Sequence, residues 1–278
     1  MARPNRHALR GQTIGIIGLG TMGSAIAKGL LAHGRPRARV LGAEARAAQR
    51  RDIARALRLR VSADVAAVVR RSHVVLLAVK PQELAPVLEI LRRARHPRQR
   101  VIVSIAAGIT TRCIEQRAGH APVIRAMPNT AARVGQSIVA LARGRFATRA
   151  QLRLAQALFQ SVGKTVEAPE RLMDAVTAVS GSGPAYFFWL TDQLAQAGVA
   201  VGLPRATANR LARQTAIGSA ALLARSDESP AALIAQVTSK RGTTEAALRV
   251  FAQRHMAAIV REAVRAATRR AKELSCSS

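Results

Sequence analysis

Thr13-Ile14-Gly15-Ile16-Ile17-Gly18-Leu19-Gly20-Thr21-Met22-Gly23 is the stretch that decides the fold. Thr13 to Ile17 is a short β-rich run, and the glycine pattern GxGxxG follows it at once. Ser24 to His33 then reads as a helix with Ala25, Ile26, Leu30 and Leu31 on one side, closed by Gly34. A lone GxGxxG is a weak signal, but between a strand and a helix near the start of a chain it is a dinucleotide fingerprint. Gly18 permits the tight turn, Gly20 lets the backbone approach a pyrophosphate, and Gly23 lets helix pack closely on strand. The helix start offers free N–H groups and a positive dipole end to phosphates.

Working outward, Arg39 to Gly42 reads as a second strand and Ala45 to Leu57 as a second helix. Asp64 to Arg70 is a short helix before His73-Val74-Val75-Leu76-Leu77-Ala78-Val79, an apolar strand of the fully buried kind. Gln82 to Arg95 is helical, Arg100 to Ile105 repeats the buried-strand pattern, and Thr111 to Arg117 is helical again. Val123 to Ala126 and Ser137 to Ala142 are further strands. This alternation predicts βαβ units in a doubly wound, mostly parallel sheet. From Arg171 onward no segment reads as a strand: 171–179, 184–198, 204–225, 230–238 and 244–274 all read as helices. Gly183-Pro184, Gly202-Leu203-Pro204, Ser229-Pro230 and Arg241-Gly242 fall at their joints. The expected plan is a loose basic tail (1–11), a dinucleotide-binding α/β domain (12–167) and an all-α domain (168–278). The helix 184–198 is apolar on more than one side, and in a small helical domain a partner subunit is its expected cover.

Composition narrows the function classes. With 278 residues, 49% of them apolar, the chain can bury a sizeable core, which excludes global disorder. Ala175 to Thr191, one of the two longest stretches without a charged residue, contains Gly181-Ser182-Gly183-Pro184 and is a poor membrane span. Met1 to Gln12 is basic and lacks an apolar stretch of signal length, so a cytoplasmic protein is expected. Cys113 and Cys276 stand far apart and the six His never pair at ligand spacing, so neither disulfides nor a metal site is expected. The net charge of +29 is the odd feature: 44 basic residues face 15 acidic ones, and 28 of the basic ones lie in residues 1–150. Such an excess fits either a nucleic-acid face or solvated, arginine-rich helix faces. Arg46, Arg50, Arg51, Arg55 and Arg58 recur at helical spacing opposite Ile53, Ala54 and Leu57, and aromatics are only 3%, leaving few stacking platforms. Solvated faces are the better account, and no nucleic-acid partner is expected.

The carboxyl ends of parallel strands are where such a sheet binds ligands. Ala78-Val79-Lys80-Pro81 and Ser104-Ile105-Ala106-Ala107-Gly108 both fall there, the second with small residues that suit close approach of a flat cofactor. Glu44, 24 residues after Gly20, stands at the end of the second strand, where an acid binds ribose hydroxyls and favours NAD. Arg46, or Arg35, Arg37 and Arg39 before that strand, could instead receive a 2′-phosphate. The residues leave both alternatives open.

Taken together with the glycine run, Ala78-Val79-Lys80-Pro81, Ser104-Ile105-Ala106-Ala107-Gly108, Arg125-Ala126-Met127-Pro128-Asn129-Thr130 and Val179-Ser180-Gly181-Ser182-Gly183-Pro184-Ala185-Tyr186 resemble pyrroline-5-carboxylate reductase. Gly202-Leu203-Pro204-Arg205 and Val237-Thr238-Ser239 through Gly242-Thr243-Thr244 extend the likeness, which runs from about Thr13 to Leu274. It implies reduction of the cyclic imine 1-pyrroline-5-carboxylate to L-proline, the last step of proline biosynthesis. It also implies an N-terminal Rossmann domain and an all-α dimerisation domain, forming a homodimer that assembles further into a ring-like oligomer of dimers. The implied cofactor is NADPH, with NADH as the alternative, held by Ile17, Gly18, Leu19, Gly20, Thr21, Met22, Gly23, Ala78, Val79, Lys80, Pro81, Ile105, Ala106 and Ala107. The implied substrate residues are Ser239, Gly242, Thr243 and Thr244, the Thr244 hydroxyl lying near the ring nitrogen as the catalytic group. Gly242-Thr243-Thr244-Glu245 opens a helix, whose free N–H groups would hold the substrate carboxylate, while the plain alternative for both threonines is N-capping.

Two departures stand out. The Asn that the family often carries near Asp64 and Val65 is not matched. Where the loop before Gly242 usually reads Pro-Gly, this chain has Lys240-Arg241. Arg241 then either helps hold the carboxylate or loosens the loop, and loosening is expected. The alternative function is a catalytically impaired reductase-like paralogue associated with nucleic acid. A hydroxy-acid dehydrogenase would want a lysine on a C-terminal-domain helix, and Lys240 and Lys272 do not supply that context.

Overall fold

The computed structural model describes residues 6–94 and 100–276. The first half alternates as expected: β1 (Ile14–Ile17), α1 (Thr21–Ala32), β2 (Val40–Ala43), α2 (Ala47–Leu57), β3 (Arg60–Ser62), α3 (Val65–Arg70), β4 (Val74–Leu77), α4 (Leu84–Arg93), β5 (Val101–Ser104), α5 (Thr111–Arg117) and β6 (Val123–Met127). There follow β7 (Ser137–Arg143), α6 (Arg149–Phe159) and β8 (Gly163–Glu167). The eight strands form one sheet in the order β3-β2-β1-β4-β5-β6-β7-β8. All neighbours are parallel except β6 and β7, which pair antiparallel. The chain leaves β1 toward one edge and β4 toward the other, so the crevice for a ligand opens between their carboxyl ends.

The strands are buried because both faces of the sheet are covered. Alternate residues point to opposite faces. Ile14, Ile16, Leu76 and Val103 pack with Ile26 and Leu30 of α1 and with Leu152 and Phe159 of α6. Ile17, Val75, Leu77 and Ile102 pack on the other face with Val68 of α3, Leu88 of α4 and Ile114 of α5. An apolar run without alternation is therefore what β1, β4 and β5 require.

After β8 come α7 (Met173–Val176), a π turn (Thr177–Gly181), α8 (Gly183–Ala200), α9 (Arg205–Arg225), α10 (Pro230–Gln236), α11 (Thr243–Gln253) and α12 (Met256–Cys276). The chain forms two compact units: one runs to Gly181 and regains the chain from Ala267 on, and the other is Ser182–Ala266. Within the second unit α8 and α9 pack through small residues, a Cβ on Gly198 falling 3.2 Å from the Ala208 Cβ. Its large apolar side chains stand open instead: Phe187 is 71% exposed, Phe188 69% and Trp189 56%.

Three expectations need correction. The segment 244–274 is not one helix: it breaks between α11 and α12, where His255 takes a left-handed conformation (φ 52°). No glycine or proline marks that break. The tail is not loose throughout. Met1–Asn5 lie outside the described residues, but Arg6–Leu9 form a helical turn and Leu9 is buried in the core. Backbone carbonyls of Leu9 and Gln12 accept hydrogen bonds from Arg35, which ties this segment down. The helix expected to reach Arg95 ends at Arg93, and Arg95 itself lies outside the described residues.

Candidate cofactor and substrate sites

The glycine loop is shaped by contacts that exclude side chains. Gly18 lies at φ 90°, and a Cβ there would fall 2.7 Å from the Ala78 carbonyl oxygen at the end of β4. A Cβ on Gly23 would run into the Gly18 carbonyl oxygen, so α1 seats directly on the loop. Gly20 differs: nothing lies within 4 Å of a Cβ built on it, and as N-cap of α1 it supplies no capping side chain. The first turn of α1 thus presents uncovered N–H groups beside open space, which suits a pyrophosphate.

A cavity of about 390 Å³ opens beside this loop. Of the expected cofactor residues, Ile17, Gly18, Gly20, Ala78, Val79 and Lys80 line it, together with Glu44, Ala45, Arg46 and Val65. Others stand apart from it. Leu19 buries its side chain in the core, and Met22 packs against the same core. Thr21 borders a separate groove with Ser24 and Lys28. Pro81 starts a short helical turn. At the end of β5, Ile105 packs against one core, Ala106 is buried against the other, and Ala107 is exposed.

Glu44 does more than its position announced. Its Oε2 accepts the Leu19 N–H at 3.1 Å, so the end of β2 pins the glycine loop. Its Oε1 accepts the Arg46 N–H at 3.1 Å and Arg46 Nε at 3.3 Å. Burial alone would raise its carboxyl pKa, but the bonds from Arg46 and Leu19 outweigh burial and hold it below the ordinary value. The arginines before β2 are committed elsewhere: Arg35 to Leu9 and Gln12, Arg37 to the Leu57 carbonyl, Arg39 to the Gly11 carbonyl. Arg46 is the one of the four that lines the cavity. Asp64, at the unmatched family position, caps α3 by accepting the Ala67 N–H at 3.0 Å.

In the second unit, Ser239 to Gly242 form the turn before α11. Gly242 is the N-cap and has no side-chain bond, so Thr243 and Thr244 lie in the first turn and neither is the N-cap. Gly242 donates its N–H to the Ser239 carbonyl at 3.0 Å, and a Cβ on Gly242 would run into the Ser239 hydroxyl. Arg241 sits at φ 59°, a conformation that costs a residue with a side chain roughly 1–2 kcal/mol. Its N–H donates to Glu245 Oε2.

One buried charge carries no role in the sequence reading. Arg125, 3% exposed in the otherwise apolar β6, pairs with Glu170 at 3.6 Å and Asp174 at 3.5 Å. Glu170 in turn accepts the Thr111 N–H at 2.7 Å and its hydroxyl at 2.6 Å. This network ties the segment leading into α7 to the sheet, and a lone Arg between Ile124 and Ala126 was its only sequence signal.

A doubly wound sheet with a glycine-loop cavity at its crevice defines a dinucleotide-binding oxidoreductase of Rossmann type. Residues 13–108 match the NADP oxidoreductase, coenzyme F420-dependent, family model, and residues 170–274 match the pyrroline-5-carboxylate reductase dimerisation model. The pyrroline-5-carboxylate reductase of Synechocystis is 43% identical over 94% of this chain and 97% of its own length. That of Arabidopsis thaliana is 38% identical over 94% and 95%. The solved Coxiella burnetii reductase superposes with a TM-score of 0.91 at 32% identity, covering 95% of this chain and 98% of that one. The Plasmodium falciparum enzyme, solved with NADP bound, gives 0.81 at 25% identity, again over 95% and 98%. The chain belongs to the pyrroline-5-carboxylate reductase family. The alternative of an impaired, nucleic-acid-associated paralogue finds no support in these matches.

Two outcomes follow from the loop. Gly20→Asp should abolish NADPH binding by calorimetry while far-UV dichroism and melting stay unchanged, because the side chain enters open space facing the phosphates. Undiminished affinity would refute the phosphate site. Glu44, with a folded pKa below its unfolded value of roughly 4.3, stabilises the fold above that pH, and the contribution fades as pH falls through the folded pKa. Glu44→Gln should therefore lose stability at pH 7 and flatten the acid limb of the stability curve. An unchanged acid limb in urea melts between pH 7 and 3 would contradict the pinning role.

Proposed function

We propose that this chain reduces 1-pyrroline-5-carboxylate to L-proline with NADPH, the last step of proline biosynthesis, using the residues described above. The observation that carries the reading is the agreement of near-full-length relatives of that name with a glycine loop that still fits its cofactor. Gly20, with open space beside it, and the uncapped start of α1 suit the pyrophosphate, and Arg46 suits the 2′-phosphate that distinguishes NADPH from NADH. NADH is the weaker alternative, because both Glu44 carboxylate oxygens already accept protein hydrogen bonds.

When bound, the cofactor supplies the hydride that the imine carbon accepts. The protein's part is to orient two reactants, exclude water and manage one proton. The substrate carboxylate is assigned to the N–H groups of Thr243 and Thr244 at the start of α11, with Ser239 and Gly242 shaping the turn. The Thr244 hydroxyl is assigned to the ring nitrogen, which must carry a proton for the carbon to accept hydride. That neither threonine is the N-cap of α11 supports this assignment over N-capping.

The open side chains of Phe187, Phe188 and Trp189 on α8 suit an obligate homodimer interface, as does the dimerisation model matched over 170–274. A ring-like oligomer of dimers and a cytoplasmic location complete the proposal, and no helix among the described residues is long and apolar enough to cross a membrane.

NADPH oxidation should depend on added pyrroline-5-carboxylate, and Thr244→Val should lower kcat by about tenfold or more with NADPH affinity unchanged. No turnover by the unaltered protein would defeat the reading, and a fully active Thr244→Val would remove that residue from it. Sedimentation should give no monomer at micromolar concentration, and Trp189→Glu should release one. A fully active, monodisperse monomer would contradict the interface.

A further inference from the structure

We propose that Glu245 is a positioning residue of the substrate loop, holding with its side chain a turn that the family's usual Pro-Gly holds with its backbone. This rests on assigning the substrate carboxylate to the start of α11. Four non-glycine residues among those described have positive φ: Arg58, His120, Arg241 and His255. Three of them close helix C-termini, after α2, α5 and α11, where a left-handed residue satisfies the last carbonyls. Arg241 instead precedes a helix, where no such closure offsets its strain. Lys240 before it lacks a ring to restrict the backbone.

What holds Arg241 there is Glu245, four residues on. Its Oε2 accepts the Arg241 N–H, and its Oε1 lies 3.9 Å from Arg249, one turn further along α11. The carboxylate is thereby turned back onto the loop and covers neither the Thr243 nor the Thr244 N–H. No side chain at position 242 shares this task, since the Ser239 hydroxyl occupies the space a Cβ on Gly242 would need. If the Glu245 bond is lost, Arg241 can leave the left-handed region and carry the 239–242 turn with it. The carboxylate-binding N–H groups would then lose their fixed geometry.

The role predicts coupling between Glu245 and the Lys240-Arg241 pair, measurable in a double-mutant cycle. Glu245→Ala should raise KM for pyrroline-5-carboxylate roughly fivefold, the size of one ordinary net hydrogen bond. It should change kcat less than twofold and leave NADPH affinity alone. Glu245→Gln, which keeps an acceptor oxygen, should recover most of the loss. Lys240→Pro with Arg241→Gly should by itself raise kcat/KM several-fold, and in that background Glu245→Ala should have less than a twofold effect. Amide exchange at Arg241 should quicken in Glu245→Ala of the full-length protein. An equal loss in both backgrounds, a fall in kcat without a change in KM, or unchanged amide exchange would overturn the proposal. Absence of turnover by the unaltered enzyme would instead defeat the functional reading, and the exchange measurement would still decide the role of Glu245.

Discussion

The contact of Gly18 with the Ala78 carbonyl is the constraint on which the cofactor site depends. The backbone turns there at φ 90°, with 2.7 Å between a hypothetical Cβ and that oxygen. The close approach lets the end of β1 meet the end of β4 at the point where the sheet reverses its order. It also brings α1 onto the loop at Gly23 and leaves its first N–H groups uncovered. Glu44 then locks the loop from the other side through Leu19. The candidate phosphate-binding surface is thus held by contacts within the protein itself, an arrangement that reduces the ordering cost of binding.

Most of the sheet was legible because its central strands are buried on both faces. Ile14–Ile17, Val74–Leu77 and Val101–Ser104 have no solvent side, so they read as unbroken apolar runs. The edge strands were not legible for the opposite reason. Arg60–Ser62 and Gly163–Glu167 lie at the two ends of the sheet and are largely polar and open. The helix Arg149–Phe159 was missed despite its Thr148 and Gln151 capping box, a signal that the residues did carry. The break at His255 had no local marker, because histidine tolerates the left-handed conformation without announcing it.

The candidate sites divide in the same way. Residue types and spacing pointed to the glycine loop and to the end of β4, which line one cavity. Partners were beyond sequence: that Glu44 would bond the loop, that Arg35 and Arg39 would be spent on the N-terminal segment, and that Arg125 would be buried between two carboxylates. Each depends on strands brought together from distant positions. The arginine excess is likewise partly structural, since Arg35, Arg39 and Arg125 serve backbone or carboxylate partners within the fold.

The central claim is that the loop, held by the protein's own contacts, takes phosphate at α1, with Glu44 committed to the loop and Arg46 proposed for the 2′-phosphate. A crystal structure of the enzyme with NADPH tests it most directly. The account predicts the pyrophosphate against the first-turn N–H groups beside Gly20, the 2′-phosphate on Arg46, and Glu44 still bonded to the Leu19 N–H. A Glu44 carboxylate swung onto the ribose, or a 2′-phosphate held by Arg35, Arg37 or Arg39, would contradict it.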